Sequence, residues 1–322
     1  MKPLTVSDLV ARKGKVLQLE ILTGDVGLDR PIGVPQVSSP GLVLAGYMKR
    51  FPAKRVHVLG ETEVEYLRSL SVKDRRKAWE GLINFDLPCI FVTKGQRLPK
   101  ELAAMAKKRG IPLLRSKLST AEFYQRLTPY LAEVFAPRTK LHGSLADVFG
   151  VGLLFMGRSG IGKSECVLDL VERGHRLVAD DSVIVTQSGN DVLIGRSPEL
   201  TWRHMEIRGV GIVDVSALFG VHAVRLQKRI EVVVQLVDWE KTQEADRTGL
   251  DAQTTTILGV ELPQVVVPLN PGKNITVVSE VVAMNHLLKY SGVHSAHLLN
   301  DRLIAKLAEQ RDLREYLSED YE

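Results

Sequence analysis

Cysteine is scarce in this chain: two residues in 322, Cys89 and Cys166. Both fall in apolar, periodic segments, which reads as buried thiols and excludes a disulfide framework or a cysteine metal site. Long apolar runs are missing as well. No stretch approaches the roughly 20 residues needed to cross a bilayer, and the N-terminus lacks the charged-then-apolar pattern of an export signal. A cytoplasmic protein with no membrane partner is expected. Aromatic residues make up only 6%, which bears on how the charge is read. Residues 1–140 carry 25 Lys and Arg against 13 Asp and Glu, a net of +12, and the remainder carries a net of −7. A basic half can bind nucleic acid, but these cations are scattered over several predicted helices with no stacking aromatics between them. Nucleic acid is therefore not expected, and a soluble surface or attraction between domains or subunits accounts for the asymmetry.

What is present is ordinary for a globular protein: 44% apolar and 25% charged residues. The length suits two domains. In the first part, strand-like and helix-like segments alternate. Arg55–Leu59 reads as a strand followed by a helix through Val64, Leu67 and Leu70. Cys89–Thr93 reads as a second strand, followed by a helix through Leu102, Met105 and Ala106 that stops at Gly110. Ile111–Leu114 is a third strand candidate ending at Arg115, and Pro112 suggests an edge or a strand start. A last helix opens on Ser119 and Glu122, spaced as a capping box, with Pro129 expected to kink it. This order predicts an α/β domain with a partly parallel sheet over residues 1–136. The polar, proline-containing segment Ala136–Lys140 reads as a linker into a second domain, residues 137–322.

The strongest signal lies in that second part. Gly157-Arg158-Ser159-Gly160-Ile161-Gly162-Lys163-Ser164 fits the phosphate-loop pattern G-x-x-x-x-G-K-[ST] at every fixed position. The apolar run Val151–Met156 before it suits a buried strand. Val167, Leu168 and Val171 after it recur at helical spacing until Gly174. Glycines allow successive N–H groups to point inward, and the helix N-terminus adds partial positive charge. A nucleoside triphosphate is the expected ligand, with Lys163 on its terminal phosphates and Ser164 on Mg²⁺.

Beyond the loop, the apolar segment to Ala179 leads into Asp180-Asp181. A regular strand would aim only one of the two inward, giving one base and one helper. Asp238, which closes the run Val232–Val237, is a rival carboxylate, and pattern does not choose between them. His142 could polarise a phosphate or move a proton, and Met205–Gly211 places Glu206 and Arg208 among apolar residues and glycines. The β-branched runs at 183–185, 230–237, 265–267 and 275–278 read as strands. Thr242–Thr256 reads as a polar loop, and the chain from Ala296 as an amphipathic helix through Leu299, Leu303, Ile304 and Leu307.

These pieces in this order resemble the HPr kinase/phosphorylase family over nearly the whole chain. The resemblance rests on His142, the loop 157–164, Asp180-Asp181, the Met205–Gly211 signature, Arg247, and Pro268-Leu269-Asn270-Pro271-Gly272-Lys273-Asn274. It implies ATP-dependent phosphorylation of a regulatory serine on the carrier protein HPr, reversal with inorganic phosphate to give pyrophosphate, and assembly as a homohexamer. It also implies a phosphate-loop kinase domain resembling the nucleotide-binding part of phosphoenolpyruvate carboxykinase. Carried over by position, Lys163 would bind phosphate, Ser164 and Glu206 would hold Mg²⁺, and Asp181 would exchange the serine proton in both directions; that leaves Asp180 as the helper carboxylate near the metal. His142 and Arg247 match catalytic positions. Pro268, Leu269, Asn270, Pro271, Gly272 and Lys273 match the segment that serves dephosphorylation, here with Leu269, Asn270 and Lys273 in place of a more basic version. A carboxykinase-like small-molecule kinase and a non-catalytic ATP-binding switch remain open from the residues alone.

Overall fold

The computed structural model describes residues 3–239, 253–269, 272 and 274–319, with side chains to residue 308. The chain divides into two compact units, residues 1–136 and 137–322.

The first unit runs α1 (Val6–Lys13), β1 (Leu19–Ile21), β2 (Val37–Ser38), α2 (Gly41–Leu44), β3 (Val56–Leu59), α3 (Glu61–Ser69), α4 (Val72–Ile83), β4 (Ile90–Val92), α5 (Lys100–Lys108), β5 (Leu113–Ser116) and α6 (Thr120–Val134). Its sheet has the order β1-β5-β4-β3-β2. The four strands from β2 to β5 are parallel, and β1 closes the edge antiparallel to β5. Both faces of this sheet are buried, which explains why the strands read as continuous apolar runs rather than alternating ones. Val56, Val58, Phe91 and Leu114 face one core with Phe123 and Leu127 of α6. Leu59, Ile90, Val92 and Leu113 face another with Val64, Trp79, Leu82 and Leu102. Ser119 caps α6 with the expected box to Glu122, and the helix continues through Pro129 to Val134. The third strand lies inside the sheet and extends past Arg115 to Ser116; Pro112 only precedes it, so its missing N–H costs no ladder bond. No sequence pattern singled out α1, α2, β1, β2 or α4; α2, β1 and β2 span only two to four residues each, and α1, though capped by Thr5 and Asp8, is only about two turns long.

The second unit runs β6 (Arg138–His142), β7 (Ser144–Val148), β8 (Val151–Met156), α7 (Lys163–Glu172), β9 (Arg176–Ala179), β10 (Ser182–Ser188), β11 (Val192–Arg196), β12 (His204–Ile207), β13 (Gly211–Asp214), α8 (Val215–Phe219), β14 (Gln227–Arg229), β15 (Val232–Asp238), β16 (Thr254–Ile257), β17 (Val260–Leu269), α9 (Ile275–Tyr290) and α10 (Ser295–Glu319). A six-stranded sheet, β16-β17-β15-β8-β7-β9, is parallel through its β17-β15-β8 centre. One face, through Leu153, Phe155, Val232 and Val234, packs on Val167, Leu170 and Ala283 of the helices. The other, through Leu154 and Val233, packs on Val183, Val185 and Leu193 of an antiparallel sheet ordered β14-β11-β10-β6.

Two sequence expectations fail here for physical reasons. Arg138–Lys140 is not a linker but the start of β6, paired along β10 from Arg138↔Thr186 to His142↔Ser182. Ile275–Val278 is not a strand but the first turn of α9, whose Asn274 side chain accepts from the Val277 N–H. A good N-cap and helix–helix packing override β-branched propensity there. Of the expected polar loop, Thr254–Thr256 pairs with β17 as β16, and residues 240–252 lie outside the described residues.

Candidate active site

β8 ends at Met156, and the chain turns through residues 157–162 into α7. Gly162, the N-cap of α7, sits at φ 102°, a conformation that side chains resist. Gly160 has φ 75°, and the Arg208 guanidinium lies where its Cβ would be. Glycine at 160 thus admits both the turn and an arginine laid over the loop. The loop opens at the carboxyl ends of parallel strands, where ligands of open α/β sheets bind.

The pocket at this loop is lined by His142, Ser159, Gly160, Gly162, Lys163, Ser164, Glu165, Asp180, Asp181, Glu206 and Arg208. Residues from four separate stretches of sequence therefore meet. Lys163 is largely buried, and its Nζ donates to the Gly157 and Arg158 carbonyls, both at 3.0 Å. The same Nζ lies 3.2 Å from His142 Nε2. An ammonium only donates, so Nε2 accepts and the imidazole proton sits on Nδ1. Nδ1 in turn is 3.0 Å from the Asp181 carbonyl and 3.1 Å from Asp181 Oδ1. Burial draws the Lys163 ammonium below its ordinary value, while the carboxylates of Asp181, Asp180 and Glu165 pull the other way.

Both aspartates line the pocket, where a regular strand would have turned one away. β9 stops at Ala179, and Asp181 takes φ 59°, so the backbone is not extended at the pair. The two carboxylates nevertheless differ. Asp180 is buried: its Oδ1 accepts from Ser144 Oγ at 2.6 Å and from Ser164 Oγ at 2.9 Å. Burial raises its pKa, and these hydroxyls with backbone groups of Asp181 and Glu206 offset only part of that rise. Asp181 is 72% exposed at its side chain and opens on the pocket. Asp238, the rival, is engaged by Arg158, whose Nε and Nη2 donate to it at 2.8 to 3.2 Å. It does not line the pocket.

Among the described residues no cluster of three or more His, Cys, Asp or Glu could cage a metal by itself. A hard cation such as Mg²⁺ needs less, because it keeps waters and takes ligands from substrate phosphates as well as one or two protein oxygens. The Ser164 hydroxyl and the Glu206 carboxylate are donors of that kind, so the residues fit the ion. Glu206 is mounted on the β12–β13 hairpin, held in place by Met205, buried in the core on the opposite face.

A family model described as the HPr serine kinase C-terminal domain matches residues 133–303, and one described as the HPr serine kinase N terminus matches residues 4–131. The chain belongs to the HPr serine kinase family. It is 47% identical over 290 residues to a protein named HPr kinase/phosphorylase from Prosthecochloris aestuarii, covering 88% of this chain and 85% of that one. A protein of the same name from Bacillus cytotoxicus is 44% identical over 290 residues, 90% and 94% of the two chains. A solved structure titled as the HPr(Ser) kinase/phosphatase from Coxiella burnetii aligns at a TM-score of 0.44 and 35% identity, covering 48% of this chain and 99% of that one.

Of the residues that the family resemblance singled out, His142, Lys163, Ser164, Asp180, Asp181 and Glu206 meet in one pocket. Pro268 and Leu269 end β17 beside Val237 and Asp238, and Gly272 has φ 87°. Arg247, Asn270, Pro271 and Lys273 lie outside the described residues. Sequence reasoning gave no role to Ser144 or to the Arg158–Asp238 pair. A lone serine before Leu145-Ala146 carries no pattern, and a partner 80 residues away is invisible to spacing.

Proposed function

We propose that this chain is a cytoplasmic, ATP-dependent protein-serine kinase acting on the carrier protein HPr, and that the same site removes the phosphoryl group with inorganic phosphate. The observation that carries this reading is the Asp181 carboxylate, tied through His142 to Lys163 and open on the phosphate pocket. Family membership supplies the substrate. In the kinase direction the serine hydroxyl attacks the terminal phosphorus of ATP, the bond to ADP breaks, and the hydroxyl proton passes to Asp181. In reverse, an inorganic phosphate oxygen attacks the phosphoserine phosphorus, the serine oxygen leaves and takes a proton from Asp181, and pyrophosphate is released. Lys163, the loop N–H groups and Arg208 meet the phosphate charge, with Arg247 joining from the segment outside the described residues. Mg²⁺, held by Ser164 and Glu206 with Asp180 behind them, would neutralise charge on the phosphates. His142 keeps Asp181 aimed at the pocket, and the 268–273 segment serves the reverse reaction.

We also propose a homohexamer: exposed apolar side chains on α9 and α10, among them Val281, Met284, Leu299, Leu303 and Leu307, support association between copies, and the number six rests on the family resemblance. Among the described residues no helix is long and apolar enough to cross a membrane.

The test is mass spectrometry of HPr incubated with ATP and Mg²⁺, then with excess phosphate. One serine should gain and then lose a phosphoryl group. Asp181→Asn should lower both rates by about 10²- to 10⁴-fold, the usual range for acid–base groups, while nucleotide still binds. Full activity in that variant refutes the role given to Asp181.

A further inference from the structure

We propose that Ser144 is a positioning residue of the phosphoryl-transfer site, acting through Asp180 on the Ser164 hydroxyl. Ser144 opens β7 and is fully buried. The β7–β8 ladder pairs it with Phe155, one residue before the strand end that feeds the phosphate loop. Its hydroxyl donates to the oxygen of Asp180 that also receives the Ser164 hydroxyl. Two hydroxyls thus converge on one carboxylate oxygen, the shorter bond at 2.6 Å coming from Ser144. A serine hydroxyl has one proton and two lone pairs. By giving its proton to Asp180, Ser164 leaves its lone pairs free to face the pocket, the orientation a hard cation requires.

That orientation is only as fixed as the carboxylate. Backbone groups of Asp181 and Glu206 also favour the charged form of Asp180, but both belong to irregular or hairpin segments. Ser144 is the donor placed on the central sheet. It converts the carboxylate from a group that can swivel about its Cβ–Cγ bond into a fixed acceptor. Replacing the hydroxyl by hydrogen removes that reference and leaves a buried oxygen short of one charge-assisted bond. The effect reaches the nucleotide only through the metal, and the inference rests on the reading above to the extent that a Mg²⁺–nucleotide occupies the pocket.

The experiment measures ADP affinity with and without Mg²⁺ in the intact protein carrying Ser144→Ala. The expected result is metal-free affinity within about twofold of the parent, with the Mg²⁺-dependent gain in affinity reduced about tenfold, as for loss of one charged hydrogen bond. In an Asp180→Asn background the same substitution should have little further effect, because the path runs through that carboxylate. Should Ser144→Ala fail to fold, Ser144→Cys, which keeps a weak donor, should show a smaller loss of the Mg²⁺ gain. An undiminished Mg²⁺ gain in Ser144→Ala or, where only that variant folds, in Ser144→Cys, an equal loss of metal-free affinity, or full additivity with Asp180→Asn overturns the role of Ser144. A parent protein whose ADP affinity ignores Mg²⁺ refutes instead the metal reading on which it rests.

Discussion

His57 makes the first unit sensitive to mild acid. It lies on β3 with no exposed surface, its ring stacked on Phe51 at 4.6 Å. Nε2 is 3.2 Å from the Pro52 carbonyl and donates to it, which leaves Nδ1 as a bare lone pair with no partner. A second proton would have to enter there, beside Arg55. Burial lowers the pKa from 6.5 to about 4, against a smaller upward pull from the Pro52 carbonyl. Below the ordinary histidine value the unfolded chain takes up a proton that the folded chain refuses, so stability falls as pH drops, until the folded state titrates as well. The loss is about 2 kcal/mol by pH 5 and about 3 kcal/mol near pH 4. Hydrogen exchange of peptides spanning Val56–Leu59 reports on this unit specifically. Parent protein should lose protection progressively from pH 6.5 to 4.5 after correction for intrinsic rates, and His57→Phe, which keeps the stack on Phe51, should show a flatter profile. Parallel profiles for the two proteins would show that His57 is not the group responsible.

Three further outcomes follow from the second unit. Gly160→Ala must hold a side chain at φ 75° against Arg208; the left-handed cost is about 1–2 kcal/mol, so ATP affinity by calorimetry should drop about tenfold with the far-ultraviolet spectrum unchanged. Burial pushes the Cys166 thiol up to about 12 and the Cys89 thiol up as well, so a thiol reagent at pH 8 should modify neither until denaturant is added. Glu280 on α9 accepts from Arg173 Nε and Nη2 at 2.8 Å and pairs with His175 Nε2 at 3.1 Å. These partners, Arg173 foremost, hold its carboxyl below the ordinary value. Glu280→Gln should lower the melting temperature at neutral pH, and the difference from parent should shrink as pH falls through the carboxylate range, where the parent loses the same charge.

The phosphate loop with its flanking strand and helix is legible because its chemistry is written in contiguous residues at fixed spacing, whereas pattern alone leaves Asp180-Asp181 and Asp238 as equal candidates. Sequence carries little where geometry depends on partners distant along the chain. Ile275–Val278 has strand composition, yet one Asn274 side chain and the packing against α7 make it a helix. The inward aim of both aspartates depends on the backbone torsion at Asp181, which no alternation pattern encodes. Asp238 fits a metal-ligand pattern by sequence, yet its carboxylate is held by Arg158, 80 residues earlier. Ser144 is an extreme case, a single small residue whose meaning lies wholly in the oxygen it touches.

The ammonium of Lys163 is already satisfied at rest by two loop carbonyls and an imidazole. Any phosphate that enters, nucleotide or inorganic, exchanges those contacts for its own and gains only the surplus. A singly charged anion gains little by that exchange, so chloride at ordinary salt concentrations should compete weakly for the pocket. Ligands that bring several negative oxygens at once are the ones able to pull the lysine forward.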